Sequence, residues 1–107
     1  MKKLRILPEV WDDLDEAVAW YDHQGGKELG DRFAAAFDAE LEAIAELPRN
    51  HRKLYKDFSR VFAKPFPYAI YFPTYQDWVV VTLLWHTARN PDDLRSALRK
   101  RGPAISD

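Results

Sequence analysis

The sequence predicts an α+β fold, a helical hairpin packed on a mainly antiparallel, twisted sheet in the order β-α-α-β-β-β-α. Three observations carry that expectation. Apolar residues recur at intervals of three and four from Pro8 to Leu47, then at two from Arg60 to His86. A Gly25-Gly26 pair divides the helical part into two arms. Asn90-Pro91-Asp92-Asp93 then opens a third helix near the end. With 107 residues, the chain suits one domain spanning 1–107, because halves of that length would bury too little core.

The elements follow in order. Lys3, Leu4, Arg5 and Ile6 alternate as a short strand that extends to Leu7. Pro8 fits the first position of a helix, and Glu9, Asp12 and Asp13 favour its positive end. Val10, Trp11, Leu14, Ala17, Val18 and Tyr21 give that helix an apolar face. The second helix runs from Lys27 to Leu47, with Leu29, Phe33, Ala36, Phe37, Leu41, Ile44 and Leu47 as its stripe, Glu40 within it, and Pro48 as its stop. The two stripes should pack on one sheet face through Trp11, Leu14, Val18, Tyr21, Phe33, Phe37, Leu41 and Ile44.

Strands are expected at Arg60–Lys64, Tyr68–Phe72 and Trp78–His86, with Pro65-Phe66-Pro67 between the first two. In the last strand Val79, Val81, Leu83 and Trp85 fall on one face, and Trp78, Val80, Thr82, Leu84 and His86 on the other. Both faces are largely apolar, so both need cover. Leu94, Ala97 and Leu98 form the stripe of the last helix, Arg99, Lys100 and Arg101 complement its negative end, and Gly102-Pro103 stops it.

Composition narrows the chemistry. The chain has no cysteine, which excludes disulfides, thiolate metal sites and cysteine nucleophiles. His23, His51 and His86 have no metal-ligand spacing, and Ser59, Ser96 and Ser106 have no nucleophile-elbow context. No phosphate loop or dinucleotide turn occurs, and neither a metal nor a cofactor is expected. Apolar runs fall short of the roughly 20 residues of a membrane span, and Pro8, Glu9 and Asp12 interrupt any signal-like start. A cytosolic protein without membrane contact is expected.

The net charge of −1 conceals an asymmetry: residues 1–50 carry 6 Lys/Arg against 12 Asp/Glu, and residues 51–107 carry 10 against 5. Such polarity suits acidic and basic partners on different surfaces, or simply solvated helices. Arg52, Lys53, Lys56, Arg60 and Lys64 lie among Tyr55, Phe58, Tyr68 and Tyr71, a composition that can bind single-stranded nucleic acid or serve as ordinary strand residues. His86 ends a strand and Arg89 follows three residues later. The pair could move a proton and steady an anionic transition state on a phosphodiester, or form strand-end and surface contacts.

Several short motifs recur in a particular order. They are Asp13-Leu14-Asp15-Glu16-Ala17 with Trp20-Tyr21, Leu29-Gly30-Asp31-Arg32-Phe33, Leu47-Pro48, Phe66-Pro67-Tyr68-Ala69-Ile70-Tyr71, and His86-x-x-Arg89-x-Pro91. Together they resemble the RelE/ParE toxin superfamily of plasmid stabilisation modules, in its ParE-like branch. The resemblance implies a type II toxin held inactive by a small cognate antitoxin. RelE-like members cleave mRNA on the ribosome, whereas ParE-like members inhibit DNA gyrase. Phe66-Pro67-Tyr68 stands where a nuclease relative is expected to place a catalytic Arg, and a basic helix replaces an aromatic-rich ending. Both departures favour a binding inhibitor of DNA gyrase over an enzyme. The alternatives are a ribosome-dependent mRNA endonuclease, with Arg60, Lys64, His86 and Arg89 as candidate catalytic groups, and a non-toxic member that only binds its antitoxin.

On that resemblance, the target should meet the basic helix through Arg95, Arg99, Lys100 and Arg101. The antitoxin should cover the sheet face of Tyr68, Ile70, Val80 and Leu84, which exceeds what a short helix can shield, and meet Arg60, Lys64 and Arg89 with acidic residues. Direct contact with nucleic acid stays open.

Overall fold

The computed structural model of the chain describes residues 3–46, 53–55, 58–73, 75 and 77–102. The helix stop at Leu47-Pro48 and the basic residues Arg52 and Lys56 lie outside them. β1 (Lys3–Ile6) leads into α1 (Pro8–Gly25) with Pro8 in the first turn. No side chain caps this end; the chain is held instead by the Leu7 N–H, which donates to the Val81 carbonyl at 3.0 Å. Gly26, at φ 83°, turns the chain out of α1, a conformation that costs glycine little. α2 (Lys27–Glu46) then runs back along α1.

The helices approach closely at Gly30. A Cβ there would lie 1.8 Å from Asp22 Oδ1 and 3.1 Å from the Val18 carbonyl oxygen. The absence of a side chain at residue 30 is therefore a packing requirement of the hairpin.

β2 (Lys53–Tyr55), β3 (Phe58–Phe62), β4 (Tyr68–Pro73) and β6 (Leu83–His86) form an antiparallel sheet in the order β2-β3-β4-β6. β5 (Trp78–Val81) pairs in parallel with β1. The expected strand Trp78–His86 is thus two strands that change partner at Thr82. Thr82 donates its N–H to the Tyr71 carbonyl, and Leu83 also pairs with Tyr71. Two residues opposing one is the signature of a β-bulge, which resets the alternation of faces. β2 was not expected, and the Arg60–Lys64 strand begins two residues earlier, at Phe58.

Two apolar layers lie on the sheet. The larger packs Val10, Ala17, Tyr21, Phe33, Phe37, Leu41 and Ile44 of the hairpin against Val61, Ile70, Val79, Val80, Val81 and Leu84. The smaller packs Leu98, with Leu94 and Ala97, of α3 (Pro91–Arg101) against Phe58, Ala69, Tyr71, Leu83 and Trp85. Val79 and Val81 therefore do not share a cluster with Leu83 and Trp85, contrary to simple alternation. Trp11 also departs from expectation. It is 45% exposed and touches the buried Phe37 only edge-on, with ring centroids 6.4 Å apart. The N-terminal signal of α3 holds as read: Asn90 Oδ1 accepts the Asp92 N–H at 2.7 Å. Among the described residues, no helix is long and apolar enough to cross a membrane.

Candidate functional site

A cleft of about 460 Å3 opens between α1 and the end of the sheet. Asp13, Glu16, Ala17 and Trp20 line it from α1, Tyr68 from β4, Leu84 and His86 from β6, and Arg89 from the turn beyond. The helical residues fall at i, i+3, i+4 and i+7, so one face of α1 presents them all. The strand residues meet because Tyr68 pairs with His86 and Ile70 with Leu84 in the β4–β6 register.

The Tyr68 and His86 rings pack edge to face with centroids 5.0 Å apart. Burial pushes the Tyr68 hydroxyl pKa up, and the charges of Tyr21 and Glu16 add to the shift, while Arg89 opposes it. His86 Nδ1 accepts the Ala88 N–H at 3.0 Å. In the neutral ring this leaves the proton on Nε2, so neither nitrogen keeps a free lone pair. Arg89 lays its guanidinium 3.8 Å above the Trp85 ring.

Asp13 sits at the inner wall. Its carboxylate accepts from Arg101 at 2.6 and 3.0 Å and from the Leu84 N–H at 3.2 Å. Arg101 also donates to the Thr82 carbonyl at 3.1 Å. The hydrogen bond to Asp13 is the main reason the Arg101 pKa rises. Trp20 is the cleft's most open apolar group, at 53% exposure.

The structure divides the expected site residues. His86, Arg89 and Tyr68 come together in the cleft. Arg60 does not join them: its guanidinium lies 4.7 Å from the Phe62 ring, and Phe62 packs with the α3-side cluster, on the opposite face of the sheet. Lys64 is exposed beyond the end of β3. Ile70, Val80 and Leu84 were expected to offer an open apolar face, but they are 0%, 1% and 3% exposed beneath the helical hairpin. The face left for α3 is the other one. On α3, Arg95 pairs with Asp92, Arg99 donates to Ser96 Oγ at 3.2 Å, and Lys100 is exposed. Arg101, expected as a free surface charge, is a tether to Asp13.

Sequence reading missed Asp13, Glu16 and Trp20 as site residues. Trp20 carried a signal, since it lies off the buried stripe that ends in Tyr21. Asp13 carried none, because its partner is 88 residues away. Among the described residues, no cluster of three or more His, Cys, Asp or Glu side chains is placed to hold a metal ion.

Comparison with known proteins extends this picture. Residues 4–91 match the family model described as "ParE toxin of type II toxin-antitoxin system, parDE". That span contains every cleft residue and stops at the start of α3. The chain is 23% identical over 100 residues to Toxin ParE2 of two Mycobacterium tuberculosis strains, CDC 1551 and H37Rv, covering 94% of this chain and 95% of theirs. Its fold superposes with a TM-score of 0.72 on a chain of the chromosomal ParDE toxin-antitoxin system from P. aeruginosa, at 11% identity, over 80% of this chain and 96% of that one. Since the family match runs from β1 to the first residue of α3, the chain belongs to the ParE toxins of type II toxin-antitoxin systems.

Proposed function

We propose that the chain acts in the cytosol as a toxin that inhibits DNA gyrase by binding it, and that a cognate antitoxin neutralises it. The observation that supports a binding inhibitor over a nuclease is the state of His86. With Nδ1 accepting the Ala88 N–H, a neutral His86 carries its proton on Nε2 and is arranged as a hydrogen-bond donor rather than as a base for a ribose hydroxyl. The surroundings agree. Arg60 lies across the sheet, and Glu16 adds an acidic group to the cleft wall beside His86, which opposes a phosphate there. The exposed charges of α3 give a protein or DNA surface something to meet without any proton transfer.

The test is a gyrase supercoiling assay titrated with the purified chain, run beside a ribosome-dependent mRNA cleavage assay. Wild type and His86→Ala should inhibit supercoiling to within a few-fold of each other, and cognate antitoxin should restore it. A positioned general acid–base histidine contributes about 10²–10⁴-fold, so a nuclease would nearly stop with His86→Ala. Messenger cleavage that disappears in this variant, with supercoiling untouched by either protein, assigns the chain to the nuclease reading instead.

A further inference from the structure

Away from the cleft, a groove of about 620 Å3 runs between β1 and the C-terminal half of α2. Its floor is the half-buried Leu4 with the largely buried Leu41 and Ala45 beneath, and Asp38, Glu42 and Glu46 form its acidic wall. The three carboxylates stand at i, i+4 and i+8, a straight line along the helix. Among the described residues none of them has a cationic partner; the ion pairs lie elsewhere, at Lys27–Asp31, Arg95–Asp92 and Arg101–Asp13.

β1 borders this groove with an open edge. Its Lys3 N–H donates to the Asp77 carbonyl and the Leu7 N–H to the Val81 carbonyl, so odd-numbered residues face β5. The alternation of a parallel ladder then turns the N–H and C=O groups of Leu4 and Ile6 outward, where no described strand pairs with them.

We propose that this edge and groove dock a strand-forming segment of a partner protein that carries basic residues at alternating positions. Two strand residues span about 6.6–6.8 Å and four helix residues about 6 Å, so in a strand laid alongside α2 cations at every second position would match carboxylates at every fourth helix position. Their aliphatic stems would lie over Leu4, Leu41 and Ala45 while their charges reach the acidic wall. Intervening residues would fall beside Lys3 and Arg5, both exposed, and so should be neutral or acidic. The same two cations oppose pairing of β1 with the β1 of a second copy, where like charges would meet. This surface lies apart from the cleft and from α3, and the inference holds whichever target the toxin has.

The test uses the full chain and a short synthetic peptide of alternating Lys and Thr, with a control of the same composition whose lysines are grouped in one block. Binding is measured by titration calorimetry at physiological salt, and amide exchange is followed by NMR. The alternating peptide should bind, protect the Leu4 and Ile6 amides, and outbind the blocked control. Asp38→Lys with Glu42→Lys, both at exposed positions, should weaken it by about tenfold or more with the circular dichroism unchanged. Equal binding of the two peptides, an affinity unmoved by the double reversal, or no protection at Leu4 and Ile6 overturns the proposal. So does sedimentation showing that the free chain dimerises through β1, since a second copy would then be the occupant.

Discussion

Arg101 and Asp13 resolve a difficulty that the bulge creates. Where the chain changes partner at Thr82, the Thr82 carbonyl and the Leu84 N–H need hydrogen-bond partners, and Arg101 and Asp13 supply one each while bonding to one another. Their side chains retain only 21% and 18% exposure, so the pair lies between the surface case, worth almost nothing, and the buried one, where losing one member costs about 3–5 kcal/mol. Arg101→Met should therefore destabilise the chain by about 2 kcal/mol in urea denaturation; a change under about 0.5 kcal/mol would show the pair to be ordinary surface decoration. Tyr68 yields a pH prediction. Its folded pKa, like that of Tyr21, is raised above the ordinary 10.0. Once the pH exceeds that value, the unfolded chain loses these protons while the folded chain keeps them, so stability falls as pH rises through the raised values. Unfolding midpoints at pH 9 and pH 11 should thus differ, and Tyr68→Phe should reduce the difference. An unchanged slope in that variant would remove Tyr68 as a contributor.

Among the elements, the hairpin is held by what residue 30 lacks. An alanine there drives a methyl group into Asp22, which can swing away, and toward the Val18 carbonyl, which cannot because it belongs to the α1 backbone. Asp22 Oδ1 is already buried at this contact, with no hydrogen-bond partner among the described residues. Gly30→Ala should therefore cost about 1–3 kcal/mol despite the better helix propensity of alanine, as overpacked contacts do. Thermal denaturation measures it, and a stabilised variant would mean that the helices can separate freely. The helices themselves were legible in the sequence. Periodicity, Pro8, Gly26 and Asn90 are local signals, and they mark real boundaries in the structure. The break in Trp78–His86 was not legible, because what ends β5 and begins β6 is a set of partners far along the chain: Tyr71, Asp13 and Arg101. A run of valines and leucines reads the same whether it keeps one neighbour or exchanges it for another.

Across the whole molecule, the sheet is a middle layer with the acidic hairpin on one face and the basic α3 on the other. The charge asymmetry between the chain's halves becomes an asymmetry between faces. It was readable as a number, whereas the cover of each face was not, since Ile70, Val80 and Leu84 look as available in the sequence as Tyr71 and Trp85. This layering changes what a deletion of α3 can teach. Leu98 is wholly buried over Phe58, Tyr71, Leu83 and Trp85, and Arg101 ties the last turn to α1. Truncation after Asn90 would uncover that apolar layer and strand Asp13 without its partner, so loss of toxicity would report loss of the fold as readily as loss of a contact surface. Charge reversal separates the two. Arg95, Arg99 and Lys100 lie on the exposed side of α3, where surface substitutions usually change stability by no more than about 0.5 kcal/mol. Arg95→Glu, Arg99→Glu and Lys100→Glu combined should leave the unfolding midpoint close to wild type and abolish the proposed inhibition of gyrase, which in the wild type should weaken as salt rises. Full inhibition by the folded triple variant would place the target surface elsewhere on the molecule, with the Trp20 cleft as the next face to test.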